Sequence, residues 1–183
     1  MKNRTITLIV IAIVVIVGII LWPKGDTNTP VEKQENTILP ASYKNATYTI
    51  EGKVISLVDG YSEIEVAPGS ASKIVTRYFG NEAEGDLNGD GIPDVAFLLT
   101  QESNGSGTFY YVVAALKAAS GYEGTNAMFL GDRIAPQTTE IRNGTIIVNY
   151  ADRGEGEPMT ARPSRGVSKY LHVENERLIE IGI

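Results

Sequence analysis

Thr5 to Trp22 is an unbroken run of 18 uncharged residues, nearly all Ile, Val, Leu or Ala. As a helix rising ~1.5 Å per residue it would reach ~27 Å, close to a hydrocarbon core of ~30 Å. Its Ile and Val occupy every face, so it lacks the polar stripe through which a soluble amphipathic helix meets water. Residues 5–22 therefore read as a transmembrane anchor, and the remaining chain must build its core without them. Lys2 and Arg4 precede the run, and cytoplasmic flanks collect such charges. Residues 1–4 are thus expected in the cytoplasm, with the rest of the chain extracytoplasmic, although Lys24 weakens the asymmetry. A cleaved signal peptide is the competing reading, but Leu21-Trp22-Pro23 lacks the small residues of a cleavage site.

Residues 23–41 are polar, broken by Pro30 and Pro40, and too poor in apolar side chains to pack, which predicts a flexible linker. Residues 42–183 then have room for one domain. Residues 25–183, linker included, hold 13 of the 16 basic residues against 22 acids once Lys2, Arg4 and Lys24 are set aside, a formal charge of −9. Such a domain repels phosphate backbones, which excludes nucleic acid as a partner. The absence of cysteine excludes disulfides, thiolate metal sites, a cysteine nucleophile and a lipidated cysteine together.

From Tyr43 onward, short apolar runs alternate with turn signals every 8 to 12 residues, the pattern of a mainly β domain. Gly52, Asp59-Gly60, Asn143-Gly144 and Asn175-Glu176 mark hairpin turns, Asn143-Gly144 being the strongest signal among them. The runs 73–79, 95–100 and 108–116 alternate weakly, so they are expected in mid-sheet, buried on both faces. The expected fold is an antiparallel sheet curled as a barrel or a sandwich, with one short helix allowed over Val112 to Ala119. The acidic loop over 85–94 occurs once, and one such motif cannot supply the blades of a propeller.

Gly85-Asp86-Leu87-Asn88-Gly89-Asp90-Gly91-Ile92-Pro93-Asp94 carries oxygen side chains at alternate positions. Calcium takes six to eight oxygens, and a tight loop with this spacing offers the side chains of Asp86, Asn88 and Asp90, the carbonyl of Ile92 and the side chain of Asp94. Gly91 supplies the sharp turn. Glu82 and Glu84 stand just before, so five acids fall between residues 81 and 94 without a Lys or Arg, a concentration that a bound dication would relieve. An EF-hand would need a glutamate at position 12, where this chain has Phe97. A solvated acidic turn is the alternative, since any exposed turn favours Asp, Asn and Gly.

The segment from Asp86 to Ala96 resembles the calcium loops of FG-GAP and integrin-like repeats. More widely, GDLNGDGIPDVAFLL, NGSGTFYYVVAAL at 104–116, FLGDRI at 129–134, IRNGTIIVNYADR at 141–153 and EPMTARPS at 157–164 resemble an uncharacterised bacterial exported or membrane-anchored domain. That resemblance implies a cell-envelope location and brings no activity with it.

His172, the single histidine, lies in an alternating strand-like stretch, and no second histidine or cysteine exists to form a zinc site or a Cys-His pair with it. Neither a G-x-S-x-G elbow nor an S-x-x-K signature occurs. Asn104 to Gly107 reads as a turn. Arg133, Arg153, Arg162 and Arg165 stand near turns, where they would grip a carboxylate or an anionic wall polymer or else pair with local acids. Two functions are expected from these features. The first is a membrane-anchored binding or structural module of the cell envelope, stabilised by one calcium ion and facing an envelope polymer or protein. The second is a glycan-directed hydrolase using loop carboxylates, because two acids at the right separation suffice for that chemistry.

Overall fold

The computed structural model of the chain describes residues 39–182. The expected anchor over 5–22 lies outside these residues, as does most of the expected linker. Among the described residues no helix is long and apolar enough to cross a membrane. The domain is mainly β. A 3₁₀ turn at Tyr43–Asn45 precedes β1 (Thr47–Ile50), β2 (Lys53–Ser56), β3 (Tyr61–Glu65), β4 (Lys73–Gly85), β5 (Asp94–Glu102) and β6 (Phe109–Ala118). After these come β7 (Gly121–Gly124), β8 (Met128–Asp132), β9 (Ala135–Arg142), β10 (Thr145–Asp152), β11 (Arg165–Glu174) and β12 (Arg177–Glu180).

All strand pairings within the sheets are antiparallel. The central sheet runs β3-β4-β5-β6-β7, with β8 pairing the other end of β6. A second sheet runs β12-β11-β10-β9, and β1-β2 forms a separate hairpin. Alternation along β5 and β6 builds two cores, one on each side of the central sheet. Ala96, Leu98, Val112, Ala114 and Leu116 pack with Ile146, Val148, Tyr150, Leu171 and Leu178 of the second sheet. On the opposite face Val95, Phe97, Leu99, Val113 and Ala115 pack with Tyr48, Ile50, Ile55 and Leu57 around the hairpin. β5 and β6 are therefore buried on both faces, as their unbroken apolar runs predict.

Three expectations need correction. No sheet closes as a barrel: the central sheet is open, with β3 and β7 at the ends of its strand order, and the second sheet and the hairpin pack on its two faces instead. Val112 to Ala119 is no helix: through Ala118 it belongs to β6, whose backbone groups pair with β5 and with β7 or β8. A strand with two apolar faces hides its period of two, which leaves a short Ala- and Val-rich run ambiguous. β4 is an inner strand as expected, yet Thr76 is its one buried residue, since the two covering layers centre on β5 and β6.

The four predicted turns all close two-residue hairpins or bridges. Glu51-Gly52, Asp59-Gly60, Asn143-Gly144 and Asn175-Glu176 have positive φ at both positions, as type I′ turns demand. The layers are also tied together by a side chain. The Asn126 amide donates to the Leu178 carbonyl (3.1 Å) and its oxygen accepts the Leu178 N–H (2.8 Å). Asn126 thus pairs both backbone groups at the middle of edge strand β12 and leaves less of that edge open to another strand.

Candidate metal site

Gly85 and Asp94 pair directly, so residues 86–93 form a loop between β4 and β5 whose ends the ladder holds together. Gly85 itself admits no larger residue, because a Cβ there would lie 2.6 Å from the Ile141 side chain. That close approach sets β9 against the base of the loop. Leu87 plugs into the first core and orients the residues on either side of it. The loop is ordered by its own side chains. Asp86 Oδ1 accepts the Gly89 N–H (2.7 Å) and Oδ2 accepts the Gly91 N–H (2.9 Å). Asn88 Oδ1 accepts from Asp90 N (3.0 Å), and Asp90 Oδ1 accepts from Ile92 N (2.7 Å). Asn88 Nδ2 donates to Asp90 Oδ2 at 3.1 Å. The Gly89 and Gly91 N–H groups hold the Asp86 carboxyl below its ordinary value.

Asp94 has a different setting. It is 0% exposed, and its two oxygens accept the Leu87 N–H (2.9 Å) and the Lys117 N–H (2.7 Å). It therefore pins the start of the loop to the end of β6. Burial raises its carboxyl above the ordinary value against the pull of those two donors, and the charges of Asp90 and Asp86 push the same way. Asp94 thus feels both of the other acids, while among the described residues no Lys or Arg stands within ion-pair distance of any of the three.

The donor set consists of oxygens, which suits a hard cation. Each oxygen that accepts one N–H retains a lone pair, so the internal bonds leave Asp86, Asn88 and Asp90 able to ligate from prearranged positions. Ile92 lies in the exposed part of the loop, with 41% of its surface open. Among the described residues, however, no three Asp, Glu or His side chains converge tightly enough to hold a metal by themselves. A metal here would draw on the Asn88 amide, the Ile92 carbonyl and water as well. Asp94 stands at the base of the loop, already engaged with two backbone donors.

Of the five acids that the sequence crowds together, Glu82 belongs elsewhere. It accepts the Tyr43 hydroxyl at 2.5 Å and also that of Tyr78, with Lys44 Nζ at 3.9 Å. Burial, reinforced by Glu82, pushes the Tyr43 hydroxyl up to about 12, so the donor keeps its proton at neutral pH. A cleft of about 340 Å³ opens beside the loop, lined in part by Asn88, Asp90, Lys117, Glu123, Asn175 and Glu176. Glu123 carries no local sequence signal, and Glu176 reads only as part of a turn. They come from β7 and the β11–β12 turn, which only the fold brings beside residue 90.

Of the remaining candidates, Arg133 and Arg153 have structural partners. Arg133 grips its neighbour Asp132 through Nε (3.2 Å) and Nη2 (3.0 Å), while Asp132 Oδ1 accepts the Thr108 N–H at 2.9 Å. Arg153 donates to the carbonyls of Ala161 (2.8 Å) and Asp132 (3.1 Å), which fastens the 153–165 segment to the β8–β9 corner. Arg162 and Arg165 are exposed. His172 sits in β11 opposite Thr145 and Ile179, with Nε2 3.7 Å from Glu174. No family model, curated protein or solved structure matches the chain.

Proposed function

We propose that this chain is a membrane-anchored, extracytoplasmic binding or structural module of the bacterial cell envelope, stabilised by one calcium ion at the Asp86–Asp94 loop. The observation that carries the calcium reading is the row of oxygens that the loop's own N–H groups hold in place at Asp86, Asn88 and Asp90, two acids without a paired cation, with buried Asp94 at the base feeling the charges of both. Calcium would offset their mutual repulsion, with Asp86, Asn88 and Asp90 as side-chain ligands, the Ile92 carbonyl beside them and Asp94 at the base. The Lys2 and Arg4 flank supports the outward orientation of the domain, and calcium abundant outside the cytoplasm would fill such a loop.

Linkage gives the test a size. An ion present at a hundred times its Kd, bound by the folded state alone, adds about 2.7 kcal/mol. For a domain of this length that corresponds to a Tm increase of about 10 °C. Full-length protein in nonionic detergent should show this increase between chelator and calcium, and Asp90→Ala should abolish it while leaving the Tm in chelator nearly unchanged. Equal melting temperatures with and without calcium would sink the reading.

The second reading, a glycan-directed hydrolase, draws its support from the cleft beside the loop, where Asp90, Glu123 and Glu176 contribute carboxylates. Paired acids are the minimum equipment for glycoside cleavage. On this reading the full-length protein releases reducing sugar ends from purified cell-wall glycan, and Glu123→Gln lowers the rate at least a hundredfold. No release from intact wall material would dismiss the hydrolase and leave the binding module standing.

A further inference from the structure

The β1–β2 hairpin covers only part of the central sheet's second face. Past its Glu51-Gly52 turn, a cleft of about 250 Å³ is lined by Glu51, Gln101, Ser103, Phe109, Tyr111 and Phe129, with Ile74 beside them. Gln101 lies seven residues along β5 from Asp94, a separation of about 23 Å in an extended strand. The cleft and the acidic loop are therefore separate features, and ligand binding at the cleft does not depend on whether the loop takes calcium.

Three aromatic rings meet at this cleft. The Phe129 centroid lies 5.4 Å from that of Tyr111 and 6.3 Å from that of Phe109, with tilts of 55° and 48°. Phe129 nevertheless remains 48% exposed, although a large ring is normally withdrawn from water. Glu51 departs from a local rule as well. It occupies the first position of a type I′ turn at φ +50°, where Asn, Asp or Gly fit with far less strain. Its carboxylate reaches over to accept the Tyr111 hydroxyl at 2.9 Å, which holds it beside the rings. Among the described residues no Lys, Arg or His pairs with Glu51, and none lines the cleft.

Ring faces carry negative charge density, and a carboxylate beside them adds a full negative charge, so both attract a cation with an apolar body. An anion would meet repulsion here, and a neutral sugar would forgo the charge. The acidity of the whole domain raises the local concentration of cations further. We propose that this cleft binds an alkylammonium group, carried either by a small free cation of the choline type or by a lysine side chain of a peptide.

The test is calorimetric titration of the full-length protein in a polyoxyethylene detergent with tetramethylammonium, choline and Nα-acetyl-lysine amide, in sodium chloride of matched ionic strength. At least one of the three should saturate in the millimolar range. Phe129→Ala and Glu51→Asn should each weaken that binding tenfold or more. Asn suits a positive φ better than Glu, so Glu51→Asn should keep or raise the Tm, which separates lost binding from lost folding. Saturation by choline and tetramethylammonium alone would assign the free quaternary cation, and saturation by the lysine derivative alone would assign the peptide side chain. Saturation by none of them, unchanged affinity in both variants, or saturation by N-acetylglucosamine in their place would overturn the proposal.

Discussion

Asp94→Ala should destabilise the protein by about 2–6 kcal/mol, the sum of leaving one buried and one part-buried N–H group without acceptors at roughly 1–3 kcal/mol each. The donors are those of Leu87 and Lys117, on opposite sides of the carboxylate. Relief of the buried charge offsets part of the loss, because burial already makes this carboxyl reluctant to ionise. Asp94→Asn should cost nearly as much, since an amide supplies one acceptor oxygen and turns its NH₂ toward the other donor. Urea unfolding of the full-length protein in chelator measures both variants without a contribution from metal. A loss below about 1 kcal/mol for Asp94→Ala would show that the loop base is held by something else.

Phe97→Ala should cost a similar amount, about 3–5 kcal/mol, the range for deleting a fully buried aromatic ring. Phe97 is 0% exposed, and its ring meets Tyr43 at 5.4 Å, Tyr78 at 5.5 Å and Tyr48 at 5.6 Å. It is the hub through which the 3₁₀ turn, β1, β4 and β5 share one core. The same placement explains why the loop departs from an EF-hand at its twelfth position: that residue faces away from the loop's oxygens, into an apolar cluster where glutamate would be buried among rings. Thermal unfolding with and without calcium separates the two roles. Phe97→Ala should lower both transitions and preserve the interval between them, whereas Asp90→Ala should collapse the interval. Loss of the interval in Phe97→Ala would argue that the second core and the loop are one cooperative unit.

The turns were legible in the sequence because their demand is local. Asn143-Gly144 announces positive φ at both positions whatever the rest of the chain does, and two strands follow from it. Glu51-Gly52 is legible through its glycine alone: Glu51 gives no hint of a positive φ, and its carboxylate is held by the Tyr111 hydroxyl, 60 residues away. Strand identity in Val112 to Ala118 was ambiguous for a related reason. Its two faces are distinguished by which neighbours they meet, and those neighbours lie in other sheets. The loop's oxygen spacing was visible from residues 86, 88 and 90, but the task of Asp94 was not, since its second donor sits 23 residues downstream. Glu82 looked like part of the same acidic group until the fold placed it with Tyr43 and Tyr78.

A strand clad in oil on both sides has little to tell it which residue belongs where. Sliding β5 by one position against β6 would exchange its two apolar sets without wetting either, so water exerts almost no discipline over that alignment. Side-chain size supplies some, because Phe97 cannot take the place of Ala96. Asp94 supplies the rest: as the one charged group sealed in at the head of the strand, it finds acceptable partners in a single alignment and is stranded in every other. Its worth to the molecule is thus partly that of an index mark, excluding near-degenerate misalignments that the hydrophobic cores alone would tolerate.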